Sequence, residues 1–228
     1  MDIIKNYIVL NDCYNTDRKI VPSGIMIHST ATPGIMAKDF AARWNRPGLE
    51  KASHFFVDNK EVYQILPCEP GNVHRAWHCG KGKNGSGNDT MISMEICESK
   101  EMDDKVYFEA AYKNAVQLAA GLCHTFDILP DNVICHAEGY QKGIASNHSD
   151  VLHWFPRHGR DMEDFRKDVS RNLLQMEQKE KESATNVQSE ESEDIIYRVQ
   201  VGAFRKKENA KRLENQLEKE GYEAWITE

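Results

Sequence analysis

GIMIHS, residues 24–29, is a short apolar run that reads as a buried strand closed by a histidine. Comparable β-type runs follow at 52–58 (ASHFFVD), 62–66 (VYQIL), 91–97 (MISMEIC) and 132–136 (NVICH). Helical patterns alternate with them. The clearest places Phe108, Tyr112, Ala115, Ala119, Leu122 and Phe126 at spacings of three and four, one face of a 3.6-residue repeat. A second, over about 161–176, starts at an Asp161 cap and buries Phe165, Val169 and Leu173. Short buried strands with helices packed over them predict an α/β domain with a central mixed β-sheet flanked by helices.

Composition narrows the function classes. The chain has 228 residues, 40% hydrophobic and 29% charged, with a formal net charge of -7. That acidic balance gives no basic footprint for nucleic acid. No stretch approaches the ~20 apolar residues of a membrane-spanning helix, so no membrane insertion is expected. The N-terminal apolar run is broken by Lys5 and Asn6, which predicts synthesis in the cytoplasm without a signal peptide. Six cysteines without a CxxC pair argue against a zinc ribbon and read as reduced, mostly buried thiols.

From Gln175 to Asp194 seven acidic residues face two basic ones, which marks a solvated helix end running into an acidic linker. The predicted organisation is a domain over 1–174, a linker over 175–194 and a small C-terminal β-α-β unit over 195–228. In that unit YRVQVGAF alternates as a strand, Ala210, Leu213 and Leu217 share a helix face up to Gly221, and YEAWIT reads as a second strand. Some 34 residues are too few for a core of their own, so self-association is one way to complete the unit.

Ligand-capable side chains stand at the ends of otherwise apolar strands, where a rigid scaffold can aim them into a cleft. His28 closes GIMI, His136 closes NVIC, and Glu95 interrupts MISMEIC, where burying an unpaired carboxylate is costly. Asp150 joins them as a loop carboxylate. Spacing alone matches no local zinc pattern, and each residue has an ordinary structural explanation as a satisfied histidine or a turn former.

Over residues 20–160 the segments IMIHSTATPG, ASHFFVDNKEVYQILP, HRAWHCG, NDTMISMEICES and ICHAEGY resemble, in order, the N-acetylmuramoyl-L-alanine amidase family. That family includes phage amidases and peptidoglycan-recognition proteins. The resemblance implies that His28, His136 and Asp150 hold Zn²⁺ and that Glu95 is the catalytic carboxylate. His148 stands where the family commonly has a lysine, which implies a share in stabilising an oxyanion. His148 and His153 are rivals of Asp150 as third ligand. His54 and His78 match motifs that line the family's cleft and are expected to touch substrate, whereas Trp77 and Trp154 either present a face to a sugar ring or fill the core.

The implied activity is cleavage of the bond between muramic acid and the stem peptide of bacterial peptidoglycan, with release onto the wall as in phage or prophage endolysins. VQVGAF and Asn209-Ala210 resemble the first part of a SPOR domain, a wall-binding module. Two other classes compete: a peptidoglycan-binding module that has lost its chemistry, and a cysteine hydrolase using Cys135 or Cys97. Neighbouring strand residues point to opposite faces, so Cys135 is poorly placed to use His136 as its base.

Overall fold

The computed structural model describes residues 2–16, 18–190, 201, 202, 204, 206–222 and 224–226. Two compact units divide the chain, Met1–Lys181 and Glu182–Glu228. Among the described residues the first unit holds nine strands: β1 (Ile3–Lys5), β2 (Lys19–Ile20), β3 (Gly24–Ser29), β4 (Phe55–Val57), β5 (Val62–Gln64), β6 (Cys68–Glu69), β7 (Asn72–His74), β8 (Met91–Ile96) and β9 (Val133–Cys135). Its helices are α1 (Ala37–Trp44), α2 (Lys105–Phe126), α3 (His136–Gln141) and the start of α4 (Met162–Glu190). The expected α/β class with a mixed central sheet is what the fold shows.

Six strands form that sheet in the order β1-β5-β4-β8-β3-β9. β3 runs parallel to both β8 and β9, β4 runs parallel to β8, and β4 and β5 are antiparallel. A smaller antiparallel sheet, β2-β7-β6, packs alongside. Strand alternation sorts the side chains between two layers. Ile25 and Ile27 of β3 and Ile92, Met94 and Ile96 of β8 join α2 and α4 in the main core. Full burial of each such side chain contributes roughly 1.5–3 kcal/mol. The opposite face of the sheet packs Phe56 against Phe40 of α1 and, further along, carries His28 and Glu95.

α2 forms where the 3.6-residue stripe was read, with Phe108, Tyr112, Ala115, Ala119 and Leu122 buried. Asp104 caps it by accepting from the Tyr107 amide, and Asp127 ends it in the left-handed region at φ 53°. Asp161 caps α4 through its Oδ1 and the Asp164 amide, 2.8 Å. α4 continues well beyond residue 176, through Glu190, so the acidic stretch taken as linker is helical for most of its length. A run poor in Gly and Pro and rich in Glu, Gln and Lys has good helix propensity, which outweighs its lack of an apolar face.

In the second unit the helix α5 (Lys207–Lys219) is present. The strand expected over 197–204 lies mainly outside the described residues. Tyr222, Ala224, Trp225 and Ile226 are not in a strand, contrary to expectation. A strand is defined by its ladder, and among the described residues none pairs with this segment. No helix among the described residues is long and apolar enough to cross a membrane.

Candidate metal centre

Parallel pairing brings the distant histidines together. Ile27 of β3 is in register with Cys135 of β9, so the next residues, His28 and His136, emerge side by side at the carboxyl ends of adjacent strands. This end of a parallel sheet is where open α/β proteins place ligands. His136 does not close β9 as expected but opens α3. Asp150 arrives from the 3-10 turn Asp150–His153, in a left-handed conformation at φ 35° that Asp tolerates better than most residues.

His28 Nδ1 lies 2.6 Å and His136 Nδ1 3.0 Å from the same Asp150 Oδ2, and the two nitrogens are 3.2 Å apart. Both imidazoles are buried, and the Asp150 side chain is 13% exposed. Metal-to-ligand bonds of about 2.0 Å in a tetrahedron put ligand atoms about 3.3 Å apart, close to these spacings. Two nitrogens and one carboxylate oxygen converging on one point therefore fit a zinc-like cation. Burial alone would raise the Asp150 pKa, but hydrogen bonds from His136 and His28 outweigh it and hold the carboxyl well below its usual range. Burial also keeps His28 neutral, lowering its pKa against the opposing pull of Asp150.

Glu95 sits in the register position next to His28 on β8, with Phe56 of β4 on its other side. The three therefore share one face of the sheet. Glu95 is 8% exposed. Burial first, then the negative charge of Asp150, pushes its carboxyl well above the ordinary carboxylate range. A cation among the three ligand atoms would oppose the Asp150 contribution.

The remaining nitrogens of the two histidines are also engaged. His28 Nε2 is 2.9 Å from His78 Nδ1, and His136 Nε2 is 3.4 Å from Ser146 Oγ. Buried Asn88 holds the His78 loop: its Oδ1 accepts from the amides of His78 (2.8 Å) and Cys79 (3.0 Å). Asn88 and Ser146 carried no sign in the sequence, since hydrogen bonds between distant loops follow no period.

The other expected site residues separate. His148 is exposed, with its ring centroid 4.9 Å from that of His136. His153 turns to the buried Glu98, 2.8 Å away, and stands apart from the ligand cluster. Trp77 is 44% exposed next to His78, with the Arg75 guanidinium 4.9 Å from its ring centroid. Trp154 is fully buried and fills the core. Cys97 and Cys135 are fully buried, and burial pushes the Cys135 thiol to about 11. Neither is placed to act as a nucleophile.

His54 corrects an expectation. It is fully enclosed, with Nε2 donating to the His74 carbonyl (2.7 Å) and Nδ1 accepting from the Ser93 amide (3.0 Å). A ring with no exposed surface is out of a substrate's reach, so it ties strands together instead. Burial lowers its pKa from 6.5 to about 4, opposed by the bond to His74. The unfolded chain takes up this proton as pH falls through 6.5, the folded chain only near 4. Stability is therefore unaffected above 6.5 and falls by about 3 kcal/mol as pH drops towards 4. Urea unfolding of wild type and His54→Gln at neutral and mildly acidic pH checks this: the pH-dependent loss should shrink by that amount in the variant.

Fold and cluster together define an α/β protein with a three-residue site suited to one divalent cation. Residues 17–156 match the family model described as N-acetylmuramoyl-L-alanine amidase, and the chain belongs to that family. A SPOR domain model matches residues 176–228, a start that takes in the last turns of α4. The amidase CwlH of Bacillus subtilis strain 168 is 33% identical over 136 residues, covering 59% of this chain and 51% of that protein. XlyA, an amidase of the same strain, is 34% identical over 138 residues, 60% of this chain and 43% of its own length. The chain thus spans about half the length of the curated relatives it matches. The solved catalytic domain of XlyA superimposes with a TM-score of 0.59 at 27% identity, covering 74% of this chain and 99% of that domain.

Proposed function

We propose that this chain is a zinc-dependent N-acetylmuramoyl-L-alanine amidase that hydrolyses the amide between the lactyl group of N-acetylmuramic acid and L-alanine in bacterial peptidoglycan, acting as an endolysin. The observation that carries the reading is the convergence of His28, His136 and Asp150 with Glu95 beside His28 on the same sheet face. When bound there, zinc supplies a Lewis acid that acidifies water and polarises a carbonyl.

The protein's own groups account for the rest. Glu95 accepts a proton from the attacking water through its carboxylate and returns it to the departing L-alanine nitrogen. His148, exposed beside His136, donates a ring N–H to the developing oxyanion. Trp77 offers an exposed ring to a sugar face. The SPOR segment adds avidity by holding the chain near its polymer. A module that only bound wall fragments would gain nothing from a carboxylate buried at a cost beside the ligand cluster.

Release of new free amino groups from purified walls tests the reading. Activity should vanish on treatment with a chelator and return when zinc is added back. Activity that survives chelation but is blocked by a thiol reagent would overturn it in favour of a cysteine enzyme. Binding of wall fragments without amino-group release would leave only a recognition module.

A further inference from the structure

His28 uses its two ring nitrogens in opposite directions. Nδ1 faces Asp150 and His136, while Nε2 meets His78 Nδ1 at 2.9 Å, the rings edge to face at 75°. A neutral imidazole carries one proton, so once Nδ1 gives up the N–H it directs at Asp150 and turns its lone pair to a cation, the ring's proton must sit on Nε2. This N–H has His78 Nδ1 as its acceptor. His78 must then be unprotonated at Nδ1 and hold its own proton on Nε2. That atom is buried and has no hydrogen-bond partner among the described residues.

The His78 loop is held by hydrogen bonds from one side. Asn88 fixes the backbone of His78 and Cys79, and its own Nδ2 donates to the Gly80 carbonyl at 3.2 Å. The corresponding contact of His136, to Ser146, is longer at 3.4 Å. A substrate contact does not explain a ring whose Nδ1 is committed to His28 and whose Nε2 is out of solvent.

We infer that His78 is a positioning residue that selects the Nε2–H tautomer of His28 and thereby prepares Nδ1 to hold a cation. This rests on the metal-site reading above. Outer partners of this kind are worth about 10–100-fold in metal affinity.

Zinc affinity of the full chain, measured by competition with a chromophoric chelator, tests it. His78→Ala should weaken binding by about 10–100-fold with the denaturation midpoint of the metal-free protein close to wild type. His78→Asn, which can place an amide oxygen near the former Nδ1, should recover most of the affinity. Ring-nitrogen NMR of the zinc-loaded wild type should find the His28 proton on Nε2. Equal affinity in wild type and His78→Ala, no recovery in His78→Asn, or a proton on His28 Nδ1 would each overturn the inference. A wild-type chain that fails to bind zinc would instead overturn the metal site itself.

Discussion

Replacing Glu95 with Gln should lower amino-group release from purified walls by about 10²–10⁴-fold while zinc stays bound. The substitution keeps shape and removes only the capacity to accept a proton. Glu95 is not one of the three clustered ligand residues, so its loss should act on the chemical step rather than on metal loading. Burial of Glu95 between Phe56 and His28 argues that the amide will be tolerated, because desolvation disfavours the charged form it replaces. Zinc content and the rate are to be measured on the same preparation. An unchanged rate would remove Glu95 from the mechanism, and a rate lost together with the zinc would make it a contributor to the metal site.

Asp150→Asn should abolish activity by emptying the site, with zinc affinity falling by more than the about 10–100-fold expected of an outer partner. Asp150 Oδ2 is the atom that both histidines face, at 2.6 and 3.0 Å. Asn shares the tolerance of Asp for the left-handed backbone at this position, so the turn should keep its conformation. The defect is then one of charge and donor type. Competition titration with a chelator reads the affinity directly, and excess zinc should restore part of the rate. Full activity at stoichiometric zinc would exclude Asp150 as a ligand.

Much of this architecture was legible because a period recorded it. Every residue of β3 was read as one apolar run, and α2 announced itself through six apolar positions on one stripe. Strands of two or three residues, such as β2, β6 and β7, are too short to show alternation. The eight-residue α1 went unread for the same reason. Polar residues in apolar surroundings marked His28 and Glu95, since burying them requires compensation. Asp150 stood out only weakly, since a loop carboxylate looks like any turn former, and it took its ligand role from the resemblance. What surrounds the ligands was invisible: the His28–His78 and His78–Asn88 contacts depend on how loops cross, which pairing of distant segments decides.

The cysteines offer a practical handle. All six are interior and none is bridged, and burial pushes Cys79 to about 11 and Cys123 to about 12. A colorimetric alkylating or exchange reagent can therefore meet them only during transient breathing of the fold. Cys97 follows the site strand β8 while Cys123 lies on α2 across the sheet, so the order in which these two are modified would time which layer loosens first.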